Sequence, residues 1–142
     1  MKVLLAMSFG ALALASVSAS AIAAEPFGTW KVGKGKVTIQ IVDCGGDLCA
    51  NIVGLAEPLR EGKPKIDRHN KNPALRNRPL MGLQIASGLK KVAEGKWEGK
   101  VYNADDGNTY VAKVSVIDDS VMKLKGCVLG GLICDSSKLY RQ

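Results

Sequence analysis

The sequence predicts an all-β protein built as one small eight-stranded antiparallel up-and-down barrel. Three observations predict it. Apolar and polar residues alternate with a period of two in several separate segments, the mark of strands with one buried and one wet face. Turn-forming residues stand between those segments. No long stretch carries the spacing of an amphipathic helix. Consecutive strands joined by tight turns favour an up-and-down sheet, and closing that sheet removes its exposed edges. A two-sheet sandwich would accept the same strand pattern.

The first residues read as a secretory signal. Lys2 supplies the positive start, Val3–Ala15 is apolar but too short to span a bilayer, and Ala21-Ile22-Ala23 fits a small-x-small cleavage site. The expected domain organisation is therefore a signal peptide over 1–23 and a single domain over 24–142. The expected location is the periplasm or the exterior. No cysteine lies near the cut, which argues against a lipid anchor, and no other apolar run approaches membrane length.

Strands are expected at about 27–33, 36–43, 48–55, 80–87, 96–103, 108–117, 120–127 and 134–141. Val37, Ile39 and Ile41 alternate with Lys36, Thr38 and Gln40. Trp97, Gly99 and Val101 alternate with charged neighbours, as do Tyr110, Ala112, Val114 and Val116 with a more polar phase. Met122 and Leu124 continue the pattern. Lys34-Gly35, Gly45-Gly46-Asp47, Asp105-Asp106-Gly107-Asn108, Asp118-Asp119 and Gly130-Gly131 supply the turns. Val37, Ile39, Ile41, Leu83, Ile85, Val101 and Val114 are the expected apolar walls of the interior. Eight short strands enclose little space, and side chains fill many barrels of this size.

Four cysteines stand at 44, 49, 127 and 134. An exported chain with an even cysteine count favours disulfides. Each of the spacings Cys44-x4-Cys49 and Cys127-x6-Cys134 brackets a glycine-containing turn, so the local pairs come first. The crossed pairing of 44 with 127 and 49 with 134 stays open if the two hairpins are neighbours. Zinc is a third reading, without the usual C-x-x-C spacing. No cofactor is expected.

The formal net charge of +7 is concentrated in one place. Between Arg60 and Arg78 lie Arg60, Lys63, Lys65, Arg68, Lys71, Arg76 and Arg78, against only Glu61 and Asp67. This long basic connection between strands 3 and 4 holds the only histidine, His69, and its Asp67–Gly82 stretch is punctuated by two prolines, Pro73 and Pro79. Long connections without strand pattern tend to be functional or disordered. Asn72 can cap one helical turn begun by Pro73, and Pro79 biases Arg78 toward an extended shape. Arginine suits carboxylate and phosphate groups. Arg76 and Arg78, with Asp67 and Asn70, are therefore the candidate ligand-binding residues. Residues two apart on a helical turn point about 200° apart, so Arg76 is expected to turn inward onto Asp67 and Arg78 outward to a ligand. Lys96, Lys100, Lys113, Lys123 and Lys125 fall on the outward phase of three consecutive strands.

Gly28-Thr29-Trp30 opens the first strand and Arg141 ends the last. In a closed barrel these strands are neighbours, and the guanidinium would cover the indole and close one end. The pairing resembles the Gly-x-Trp signature and closing arginine of lipocalin-like proteins. Phe27-Gly28-Thr29-Trp30, Leu48-Cys49-Ala50-Asn51-Ile52-Val53, Asn72-Pro73 with Arg76-Asn77-Arg78-Pro79-Leu80-Met81-Gly82, Tyr102–Tyr110 and Leu124-Lys125-Gly126-Cys127 together resemble the exported bacterial family called domain of unknown function 2147. Tyr140 stands in the last strand where that family commonly has a tryptophan. The resemblance implies a lipocalin-like barrel that binds small molecules, and it carries over no enzymatic activity.

The functional expectation is an exported noncatalytic protein that binds a small, amphiphilic or anionic ligand in or at the mouth of the barrel, with no nucleic-acid partner. The alternative is a structural or interaction protein of the cell envelope that uses the basic loop and face. The third reading is a periplasmic hydrolase using Asp67 and His69, which lacks a nucleophile motif beside it.

Overall fold

The computed structural model describes residues 24–142, so the expected signal segment lies outside the described residues. Strands β1 (Gly28–Val32), β2 (Val37–Asp43), β3 (Leu48–Leu55), β6 (Gln84–Ala93), β7 (Lys96–Asn103), β8 (Asn108–Val116), β9 (Val121–Val128) and β10 (Ile133–Arg141) form the barrel. The short strands β4 (Leu59–Arg60) and β5 (Lys63–Pro64) make a separate hairpin. The barrel is closed in the order β1-β10-β9-β8-β7-β6-β3-β2. Every pairing is antiparallel. Among the described residues no helix is long and apolar enough to cross a membrane.

Seven strands lie close to their expected positions, and one is displaced. The strand expected at 80–87 runs from Gln84 to Ala93. Leu80–Leu83 is a turn, with Leu83 N–H donating to Leu80 O at 3.1 Å and Gly82 at φ +81°. Gly88, which looks like a strand terminator, instead adopts φ +77° where the register shifts between Ala86 and Lys90. The strand passes through this bulge and continues, as glycine permits. The bulge delivers Leu89 into the barrel over Gly99, where an added Cβ would lie 2.7 Å from Leu89 Cδ2. Gly99 is small because Leu89 occupies that space.

The inward phase of the alternation forms one continuous core. Trp30, Ile39, Ile41, Leu48, Ala50, Ala86, Leu89, Trp97, Ala112, Val114, Met122 and Leu139 pack together, with Val37, Ile85 and Val101 against them. Most of the residues expected to wall a cavity thus pack as core. Leu83 is buried outside this cluster, beside Ile52.

One end of the barrel carries the start of β1, the end of β10 and the β2–β3, β6–β7 and β8–β9 turns. Trp30 is fully buried there, and its indole N–H donates to Pro26 O at 2.9 Å. The Arg141 guanidinium lies 4.2 Å from the centre of its ring. Arg141 also donates to the carbonyls of Glu25, Phe27 and Asp119. Gly28 sits at φ +122°, and a Cβ there would stand 2.9 Å from Arg141 Nη1. The glycine of Gly28-Thr29-Trp30 therefore makes room for the closing arginine.

The four cysteines form Cys44–Cys49 and Cys127–Cys134. The crossed pairing and thiolate ligation of zinc are both replaced by these local bonds. Cys127 and Cys134 face each other directly in the β9–β10 register.

Candidate functional site

The β3–β6 connection, residues 56–83, crosses the opposite end of the barrel, beside the β7–β8 turn. It is more than a loop. Beyond the β4–β5 hairpin, residues 65–67 run antiparallel to 78–80. Asp67 N–H donates to Arg78 O at 2.9 Å, Leu80 N–H donates to Lys65 O at 3.0 Å, and Ile66 bridges Pro79. Between these two stretches a single 3-10 turn spans Pro73–Leu75, capped by the Asn72 side chain on Ala74 N–H at 3.0 Å.

Asp67 is the hub of this segment. Its side chain is fully buried, a costly place for a carboxylate unless every lone pair is engaged. Tyr102 Oη donates to Oδ1 at 2.6 Å. Asn70 Nδ2 donates to Oδ2 at 2.8 Å. Arg78 meets Oδ2 through Nε and Nη2, both at 2.8 Å. Asn70 is also buried and donates to Tyr102 Oη at 3.0 Å, so the network closes on itself. Burial, followed by the hydrogen bond to Asp67, pushes the Tyr102 phenol above its ordinary value. The Arg78 guanidinium lies 5.5 Å from the centre of the Tyr102 ring.

The expected roles of the two arginines are exchanged. Arg78 turns inward to Asp67, and Arg76 stays exposed, donating from Nε to Asn70 O at 2.8 Å. The helical turn ends at Leu75, before either arginine. Pro79 holds the following stretch extended, and the pairing of Arg78 with Asp67 along the backbone places their side chains together. The expected divergence rested on a helical turn that holds neither arginine; the strand-like pairing of 78–80 with 65–67 sets their directions instead.

His69 takes no part in the carboxylate network. Its Nδ1 lies 2.6 Å from Asp105 O, on the β7–β8 turn. The pairing of Asp67 with His69 expected for a hydrolase is replaced by the Tyr102, Asn70 and Arg78 contacts. Tyr102 is the partner that sequence reasoning missed. An isolated Asp with two nearby arginines gives no signal of a phenol 35 positions away.

The connection seats closely on the β7–β8 turn. Gly107 has φ +71°, and a Cβ there would fall 1.9 Å from His69 O. In the turn itself, Tyr110 Oη donates to the Asp106 carboxylate. That bond raises the Tyr110 phenol. At Asp106 burial opposes ionisation, but the Tyr110 and Asn108 hydrogen bonds outweigh it and the carboxyl is lowered.

Clefts lie beside this architecture and, away from it, on the outer wall of the barrel. The first, of about 340 Å³, lies between the β4–β5 hairpin and the β7–β8 turn. Arg60, Lys63, Lys65, Arg68 and His69 line it with Ile66 and Leu80. Its acidic members are Glu61 and Asp105, and Lys65 also pairs with Glu57 at 3.6 Å. The second, of about 220 Å³, lies on the outer wall among Lys96, Lys113, Lys123 and Lys125. There Glu98 pairs with Lys113 at 3.7 Å. Among the described residues, no group of three or more His, Cys, Asp or Glu side chains converges as a metal site.

Comparison with known proteins agrees with this architecture. The sequence profile of the family described as "Uncharacterized protein conserved in bacteria (DUF2147)" matches residues 28–141. A solved structure, protein HP1028 from the human pathogen Helicobacter pylori, is described as belonging to the lipocalin family. It aligns with a TM-score of 0.74 at 23% identity, over 84% of this chain and 84% of that one. At that identity the likeness carries the fold, a lipocalin-like barrel. No curated protein matches the chain.

Proposed function

We propose, from the premise that the chain belongs to the bacterial DUF2147 family, that it is an exported noncatalytic protein binding a small anionic ligand at the barrel mouth. In this reading residues 1–23 are removed on export and residues 24–142 act as one domain in an oxidising compartment, where the two disulfides persist.

The observation that carries the reading is the cleft beside the β7–β8 turn. It combines Arg60, Lys63, Lys65 and Arg68 with the apolar surface of Ile66 and Leu80. Such a lining suits an anionic head with a short apolar body. The interior of the barrel is occupied by its own core, so the mouth is the place for a ligand. Asp67, Asn70, Arg76 and Arg78 do not line the cleft; in this reading they serve it by fixing the connection. In this reading Asp67 is a structural group, since both of its oxygens are already engaged.

Calorimetric titration with decyl phosphate and with uncharged decyl maltoside tests it. Decyl phosphate binds more tightly, and Arg60→Ala with Arg68→Ala removes the difference. Equal affinity for the two amphiphiles, or no effect of the double substitution, overturns it.

A second reading has its own observation. The lysines on the outer wall of β7, β8 and β9 present a basic face suited to an anionic envelope polymer.

A further inference from the structure

The β9–β10 hairpin ends in a projecting apolar tip. Val128, Leu129, Leu132 and Ile133 are 40%, 69%, 86% and 59% exposed. Large apolar side chains are unremarkable on a surface when scattered, and informative when contiguous. Here four of them occupy one tip, clamped at its base by Cys127–Cys134. The pairing of β1 with β10 ends at Val32 and Leu139, apart from the bond from Gly33 N–H to Lys138 O. Residues 133–137 therefore continue past the β1 edge, and all are exposed. Leu129 is held at φ +53°, a left-handed conformation that favours glycine and strains a leucine. The chain keeps a large apolar residue at its tip in a conformation that glycine would adopt freely.

The charge around the tip has a direction. The basic connection, with Arg60, Lys63, Arg68 and Lys71, lies at the same end of the barrel, seated on the β7–β8 turn. β8 is the direct neighbour of β9. The opposite end carries Asp43, Asp47, Glu94, Asp118 and Asp119 in and beside its turns. The first end also holds Glu57, Glu61, Asp105 and Asp106, so its basic excess is partial, while at the other end Asp47 and Glu94 pair with Lys90 and Lys91; the cationic excess lies at the end that carries the apolar tip.

We propose that this end docks on an anionic lipid bilayer, with the 128–133 tip entering the headgroup layer and the basic connection resting on the lipid phosphates. Apolar side chains that enter the interface gain from leaving water, and cations near an anionic surface add to the attraction. Self-association through the same tips would bring two basic ends together, so the charge favours a bilayer over a second copy. The basic connection shares Arg60, Lys63 and Arg68 with the ligand cleft, but the apolar tip lies outside that cleft, so substitutions at Leu129 and Leu132 test the docking separately from the proposed ligand site.

Co-sedimentation of protein expressed from the full chain with vesicles of phosphatidylglycerol and phosphatidylethanolamine tests the docking. Vesicles of phosphatidylcholine alone are the neutral comparison. The protein partitions onto the anionic vesicles, more weakly as salt rises, and little onto the neutral ones. Leu129→Gly with Leu132→Ser lowers that partition by roughly a hundredfold, about tenfold per side chain withdrawn from the interface. The melting temperature stays unchanged or rises, because glycine relieves the strain at 129. Equal sedimentation of both proteins, equal binding to neutral vesicles, or no binding to anionic ones overturns the proposal. A dimer in solution that the double substitution dissociates assigns the tip to a second copy and overturns it as well.

Discussion

Arg78 and Asp67 meet twice. Their side chains join at 2.8 Å through the guanidinium and the carboxylate, and Asp67 N–H donates to Arg78 O at 2.9 Å. Main chain and side chain thus close the same eleven-residue excursion, and the carboxylate end of the pair is fully buried while the arginine is 35% exposed. The basic connection is positioned by this closure.

Replacing Arg78 with alanine leaves a buried carboxylate without its cation. The expected loss is about 3 kcal/mol, the low end for a broken buried pair because the arginine is partly solvated. Arg76→Ala removes one hydrogen bond to Asn70 O, and about 1 kcal/mol is expected. Urea unfolding of both variants gives the comparison, and equal losses would contradict the exchange of roles described above.

Tyr102→Phe keeps the ring beside Arg78 and removes only the donor to Asp67 Oδ1. A hydrogen bond to a charged acceptor contributes about 1.5–3 kcal/mol, and that loss is expected in urea unfolding. The pH dependence has a definite sign. The folded state favours the neutral phenol and raises its pKa, so it holds more protons than the unfolded chain above the ordinary tyrosine value of about 10. Its contribution is complete below that value and is lost as pH rises through the raised one. Melting temperature should fall less between pH 9 and roughly 11 in Tyr102→Phe than in the parent.

Gly107→Ala tests the seat of the connection. Its Cβ would lie 1.9 Å from His69 O, and its φ of +71° is unfavourable for alanine. The turn and the 67–72 segment cannot both keep their places. Faster amide hydrogen exchange at Asn70 and Asn72, with the β1–β10 pairing still protected, is the expected result. Unchanged exchange at both residues would mean that the contact is dispensable.

Arg141→Ala removes three carbonyl contacts and the cover over Trp30. A loss of about 2–3 kcal/mol is expected from the hydrogen bonds and the cation–π contact together. The barrel should persist, because the Trp30 indole still bonds Pro26 O within a packed core. Tryptophan fluorescence should shift to longer wavelength as water reaches the ring. Retention of both stability and emission would refute the closing role.

The sequence alone determined the parts whose cause is local. Alternation placed the inward residues of β2, β7, β8 and β9, since a period of two fixes which face a side chain takes whatever the sheet does. Turn chemistry placed the tight turns of the barrel but not the β4–β5 hairpin, and the spacing of each cysteine pair around a turn made the local disulfides the first choice. Gly28-Thr29-Trp30 and Arg141 marked the closure of the barrel, and the charge count marked the connection. Tertiary structure decided whatever depends on which distant segments meet. Gly88 looks like a strand terminator, and became a bulge because β3 and β7 continue to pair beyond it. Tyr102 found Asp67 because the β7 end lies beneath the connection, a neighbourhood that exists only once the barrel has closed. Arg78 rather than Arg76 turned inward because residues 78–80 pair with 65–67. Local propensity placed the turn at Pro73–Leu75, but only the pairing of distant stretches sets which arginine faces a buried charge.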